Sequence, residues 1–237
     1  MAEESFARIE TKYMLTVAQE RFIEDALQKQ GFRWMDFGDP TVQSLYYDTP
    51  DYQLIRTSLD RPIYKEKLRL RAYGKPEKVT MSFIEVKKKY KGVVYKRRVA
   101  QPLEMAYSGL NRGCVSQEGG QVGQEAEWMV RRYALQPKAV ITYDRDAWFS
   151  DRWPDVRITF DRNLSFRQTD FSLTSREPNI ALTLPTQRLM EIKTGGTYPL
   201  WLTRLLQAAH AERIHFSKYG LAYLKYIRPG NLEVRYA

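Results

Sequence analysis

The chain has 237 residues, 43% of them hydrophobic, which is enough for one large domain with a full core. Its 38 Lys and Arg against 28 Asp and Glu give a net charge of +10. That balance points to an acidic partner: nucleic acid, a membrane surface or a phosphate-rich small molecule. The single cysteine, Cys114, excludes an intrachain disulfide and fits a reducing, cytoplasmic setting. It lies in a polar, Gly-bearing stretch without a neighbouring His, which marks a spectator thiol. No run of about 18 apolar residues occurs, so no transmembrane helix is expected. The acidic start, Met1 to Ser5, does not read as a signal peptide.

In chain order, Phe6 to Leu15 reads as a strand, and Thr16 as the N-cap of a helix over Val17 to Gln30 that Gly31 ends. Phe32 to Asp36 reads as a short strand and Thr41 to Asp48 as a strand stopped by Thr49-Pro50. Ile63 to Tyr73 is a long strand. Val79 to Lys89 and Val93 to Val99 form a hairpin about Tyr90-Lys91-Gly92. Pro102 opens a helix to about Asn111, and the Gly- and Gln-rich stretch Gly109 to Gly123 predicts a mobile loop. A helix over Glu125 to Leu135 follows, then strands at Lys138 to Trp148, Val156 to Leu164 and Leu189 to Lys193. Helices at Pro199 to His210 and Phe216 to Ile227 close the chain. The charge pattern is even along the chain and no repeat is present, which favours a single domain, 1–237.

The informative feature is alternation within the strands, because residues i, i+2 and i+4 share a face. Arg8, Glu10 and Lys12 alternate with Ala7, Ile9, Thr11 and Tyr13. Lys67, Arg69 and Arg71 share a face, as do Glu85, Lys87 and Lys89, then Lys96 and Arg98. Arg157, Thr159 and Asp161 follow, and Glu191 with Lys193. One such strand is an ordinary sheet with a wet face. Six with mostly cationic faces, in a chain whose helices need apolar sheet faces to cover, predict an inside-out barrel. Such a lumen repels itself when empty and admits a linear phosphate chain but not a duplex. Glu10, Glu85 and Glu191 either space the cations or hold a hard divalent ion together with phosphate oxygens.

These residues carry a resemblance. The segments are Arg8-Ile-Glu-Thr-Lys-Tyr13, Ser44-Leu-Tyr-Tyr-Asp-Thr-Pro50, Lys67-Leu-Arg-Leu-Arg71, Glu85-Val-Lys87 and Lys96-Arg-Arg98. Tyr143-Asp-Arg145, Arg157-Ile-Thr-Phe-Asp161, Glu191-Ile-Lys193 and Phe216-Ser-Lys-Tyr219 complete the set. In this order they resemble the VTC domain, the polyphosphate polymerase domain of the vacuolar transporter chaperone complex, within the triphosphate tunnel metalloenzyme or CYTH superfamily. The chain looks like a free-standing, bacterial-type member. The resemblance implies an α+β fold: a closed antiparallel barrel of about eight strands with helices outside. It implies nucleoside triphosphate or inorganic polyphosphate threaded through a tunnel with Mn or Mg. Phosphate contacts would come from Lys12, Lys67, Arg69, Arg71, Lys87, Lys96, Arg98, Arg145, Arg157, Lys193 and Lys218. Glu191, with Glu10 and Glu85, would hold metal. Lys12 and Glu191 would be the catalytic residues, Lys12 as acid/base or positioning group at the reacting phosphate, or as a plain phosphate clamp.

One departure stands out. The superfamily's opening signature is Glu-x-Glu-x-Lys, and its first position here is Arg8. The change removes a metal ligand, adds a cation and fits the polyphosphate-handling branch. The implied activity is polyphosphate synthesis from ATP; the alternatives are a tunnel triphosphatase or polyphosphatase, and a non-catalytic polyphosphate binder. No P-loop motif is present. His210 and His215 lie far from any Ser or Cys motif, which argues against a hydrolase triad.

Overall fold

The computed structural model describes residues 9–36, 38–75, 80–91, 93–115 and 119–228. Phe6 to Arg8, the start of the first expected strand, Val79 at the start of the expected hairpin and Gly92 of its turn lie outside them.

Strand β1 (Ile9–Thr16) runs directly into helix α1 (Val17–Lys29) through a capping box: Thr16 Oγ1 accepts from the Gln19 amide, and Gln19 Oε1 accepts from the Thr16 amide. Gly31, at φ +80°, turns the chain beyond the helix. Strands β2 (Arg33–Met35) and β3 (Thr41–Asp48) follow. Helix α2 (Gln53–Leu59) was not expected, because seven residues are too few to establish an apolar period. Asp48 supplies what the local sequence lacks: its carboxylate accepts from the Leu54 and Ile55 amides at 2.8 and 3.0 Å.

Strands β4 (Tyr64–Tyr73), β5 (Met81–Tyr90) and β6 (Val93–Pro102) form a meander. Helices α3 (Leu103–Arg112) and α4 (Gly120–Tyr133) take both ends of the stretch expected as a loop, whose residues 116–118 lie outside the described set. Strands β7 (Gln136–Phe149), β8 (Arg157–Arg167), β9 (Ile180–Ala181) and β10 (Gln187–Thr194) precede α5 (Leu200–Ala208) and β11 (Arg213–Ile214). Helix α6 (Lys218–Ala222) continues as a π-helical turn over Tyr223–Ile227.

All strands join one antiparallel sheet in the order β11-β1-β10-β8-β7-β3-β4-β5-β6, with β2 on β7 and β9 on β8. Helices α1 and α5 cover one part of its convex face through Leu15, Ile23, Leu27, Phe160, Ile192 and Leu202. Helices α3 and α4 cover the other through Leu68, Leu70, Ile84, Val86, Leu110 and Met129. Each such side chain, fully buried, contributes about 1.5–3 kcal/mol. Apolar outer faces force the charged faces inward.

The sheet is strongly curled. From β1 to β5 the strand path takes six steps, about 29 Å if flat at about 4.8 Å per strand. Yet Glu10 Oε2 of β1 lies 3.7 Å from Lys87 Nζ of β5. Among the described residues no ladder joins β6 to β11 or β1, so the expected hydrogen-bonded barrel is corrected to a curled, unclosed sheet. The edges explain this: β11 has two residues, and β6 carries Lys96, Arg97 and Arg98 in a row, a charged edge that resists further pairing. The concave side also holds an apolar cluster, where Tyr219, Leu221 and Tyr223 pack on Tyr46, Ile141, Phe166 and Leu189. The C-terminal segment therefore fills part of the hollow.

Candidate functional site

The charged half of the concave face contains two ion clusters. In the first, buried Glu85 of β5 receives Arg69 Nε at 2.7 Å and Lys96 Nζ at 2.7 Å, with Arg71 Nε at 3.8 Å. Two tyrosines hold the guanidinium groups. Arg69 donates to Tyr46 Oη at 3.0 Å, and Arg71 donates to Tyr143 Oη at 3.1 Å and to Ser44 Oγ at 3.1 Å.

The second cluster centres on Glu191 of β10, which is 5% exposed, and Asp161 of β8. Arg145 clasps Asp161 with two bonds at 2.6 and 2.7 Å and reaches Glu191 Oε2 at 3.1 Å. Lys218 Nζ, from the start of α6, sits 2.6 Å from Asp161 and 2.8 Å from Glu191. Lys12 Nζ stands between Glu10 at 3.3 Å and Glu191 at 3.6 Å, and donates to the Phe216 carbonyl at 3.1 Å. Lys67 Nζ donates to Ser217 Oγ at 3.3 Å. The segment 216–219 thus ties β1, β4, β8 and β10 together across the hollow.

These surroundings set the protonation states. Burial works against ionised carboxylates here, but Lys12 and Lys87 bring Glu10 down to about 2. Burial is likewise overcome at Glu85 by Arg69, Arg71 and Lys96, and at Glu191 by Lys218, Lys12 and Arg145; both stay well below the carboxylate range. Burial brings Lys67 down to about 8, with Lys87 and Lys65 adding to it, and Lys193 to about 8. At Tyr46 burial is outweighed by Arg69, Arg71 and Lys67, which bring the phenol to about 8. Burial is what lowers Lys67 and Lys193, whereas at Lys218 burial is outweighed by Asp161 and Glu191, which raise it. The hollow is short of negative charge because its Lys and Arg outnumber Glu10, Glu85, Asp161 and Glu191.

Lys12, Lys67, Arg69, Arg71, Lys87, Lys96, Arg145, Lys193 and Lys218 share this hollow with Glu10, Glu85 and Glu191. Arg98 and Arg157 share the same faces but are exposed. Sequence reasoning gave Asp161 no role, although it holds Arg145 and Lys218; only its place two residues after Thr159 on a charged face marked it. Tyr46 and Tyr143 were also given no role, because neutral hydroxyls on a strand carry no periodic signal, as was Ser217, the N-cap of α6.

The expected metal trio is not assembled. Among the described residues no three Asp, Glu, His or Cys side chains gather to hold an ion. Both Glu85 oxygens face cations, Arg69 and Lys96, and so do both Glu191 oxygens, Lys218 and Arg145; Glu10 and Glu191 in addition flank one point, filled by Lys12 Nζ. Thr159, opposite Glu191 in the ladder, has a buried hydroxyl without a partner. Two carboxylates and a free hydroxyl suit a hard divalent ion that takes its remaining ligands from a phosphate substrate.

A sequence profile of the VTC domain matches residues 7–227. The chain belongs to the VTC domain family. No curated protein sequence matches it. Among solved structures, a candidate adenylate cyclase from Bacillus halodurans aligns with TM-score 0.51 and 14% identity, over 89% of this chain and 95% of its own. Another from Vibrio parahaemolyticus gives 0.49 and 15%, over 92% and 98%. At such identity the likeness to the Bacillus protein shows a shared fold. No helix in the described part of this VTC domain is long and apolar enough to cross a membrane.

Proposed function

We propose that this VTC domain binds a linear triphosphate or polyphosphate along its concave face and transfers the terminal phosphoryl group of a nucleoside triphosphate to a growing polyphosphate. The observation that carries the reading is the convergence of Lys12, Arg145 and Lys218 on buried Glu191 in a hollow short of negative charge. Arg69 and Arg71, fixed by Tyr46 and Tyr143, present guanidinium groups to phosphate oxygens. Lys12 and Lys218 stabilise charge on the transferring group and on the oxygen that leaves. Mn or Mg, held by Glu191 and Glu10, would neutralise charge on the phosphate oxygens.

In the transfer, a terminal oxygen of the acceptor chain bonds to the γ-phosphorus while the bond between that phosphorus and the β,γ-bridging oxygen breaks, and nucleoside diphosphate leaves. Lys12 hydrogen-bonds to the reacting phosphate. Purified protein incubated with ATP and Mn tests the reading. Polymer supports synthesis, and free phosphate without polymer supports a triphosphatase instead. Neither product, with Glu191→Gln indistinguishable from wild type, overturns catalysis and leaves a binder.

A further inference from the structure

Beyond its cations the concave face ends in an aromatic shelf. Alternation puts Arg69, Arg71 and Tyr73 of β4 on this face, beside Glu85, Phe83 and Met81 of β5. The register sets Glu85 between Arg69 and Arg98, and Phe83 between Arg71 and Ala100. Phe83 is therefore one row, roughly 7 Å, past the row of Arg69, Glu85 and Arg98. Tyr73 meets Phe83 edge to face, with ring centroids 5.7 Å apart and planes at 73°. The Arg98 guanidinium carbon stands 4.9 Å from the Phe83 centroid.

Elsewhere on the concave face the large aromatic residues Tyr46, Tyr143 and Phe166 are buried. Tyr73 and Met81 instead stay 46% and 48% exposed, next to the phosphate-type cations. An exposed aromatic ring, a guanidinium over its neighbour and an adjacent cationic groove match the three parts of a nucleotide: a flat base, a sugar-length gap and a phosphate chain. A bare phosphate chain has no use for the aromatic part.

We infer that Tyr73, Phe83 and Arg98 form the base subsite of a nucleoside triphosphate whose phosphates lie on Arg69, Arg71 and Lys96. The inference rests on the phosphate-groove reading above. The shelf is built from rings, Met81 and Ala100, so it grips a base by its face and does not read its edge. Purine nucleotides bind more tightly than pyrimidine nucleotides in proportion to stacking area.

The test is calorimetric titration of the full chain with ATP and, separately, with inorganic tripolyphosphate. Tyr73→Ala weakens ATP roughly five- to a hundredfold, the range one base–aromatic stack carries, and leaves tripolyphosphate unchanged. Tyr73→Phe retains ATP binding, which separates stacking from loss of fold. ATP affinity indifferent to Tyr73→Ala, or an equal loss for both ligands, overturns the subsite. Wild-type protein that binds neither ligand overturns the phosphate groove instead.

Discussion

Glu191→Gln probes the centre of the site with almost no change in shape. The carboxylate is buried and receives Lys218 at 2.8 Å, Arg145 at 3.1 Å and Lys12 at 3.6 Å. Removing one partner of a buried ion pair costs about 3–5 kcal/mol, because the other charge stays buried. Asp161 still holds Arg145 and Lys218 at 2.6 Å, so the cost here falls at or below the bottom of that range, about 2–3 kcal/mol. In a chain of this size each kcal/mol moves the melting temperature by about 2–4 °C, which gives a fall of roughly 4–12 °C. Thermal unfolding in metal-free buffer, with and without tripolyphosphate, reads it. A bound phosphate chain returns the missing negative charge, so it raises the variant's melting temperature more than the wild type's. An unchanged or higher melting temperature, or a smaller ligand-induced rise, would refute the reasoning.

Tripolyphosphate raises the wild-type melting temperature clearly more than sulfate at equal ionic strength; equal rises would mean simple screening. Tyr46→Phe removes the 3.0 Å bond to Arg69 but keeps the ring stacked on Tyr219, so tripolyphosphate affinity falls by about tenfold while the fold holds. A titration showing unchanged affinity would free Arg69 from dependence on Tyr46. The pH prediction concerns Lys67, whose folded value of about 8 lies below the ordinary 10.5. Below pH 8 both folded and unfolded chains hold the proton and its burial cost is full; between about 8 and 10.5 the folded state has shed it and stability rises with pH. A phosphate chain favours the protonated amine. Binding at pH 9 therefore takes up protons, measured as a dependence of calorimetric heat on buffer ionisation enthalpy, and Lys67→Met reduces the uptake.

The legible parts of this molecule were those with a period. Alternation in Lys67 to Arg71 and in Glu85 to Lys89 put the right residues on the concave face, because a helix-covered outer face leaves charge nowhere else to go. Thr16 and Gly31 marked helix α1 by local capping chemistry alone. What failed depends on distant contacts. Helix α2 exists because Asp48 caps it from outside its own sequence. Gly120 to Gly123 are helical although glycine is a poor helix former, since Ala126, Met129 and Val130 bury against the sheet and override local preference. Closure was misjudged because a charged face says that strands curl and not that edge strands such as β6 find a partner. Asp161 acquires its role only when β7 and β8 come together, and Tyr143 only when β7 lies close enough to β4 to meet Arg71.

A phosphate chain on the concave face is what joins Arg69, Arg71, Arg145 and Lys218 in one function. A crystal structure of the tripolyphosphate complex tests it most directly. Phosphate oxygens are expected within hydrogen-bond distance of Arg69, Arg71, Arg145 and Lys218, with Lys12 drawn away from Glu10. Phosphates found only on the outer surface, with the Lys218–Glu191 and Arg69–Glu85 contacts undisturbed and the hollow empty, would contradict it.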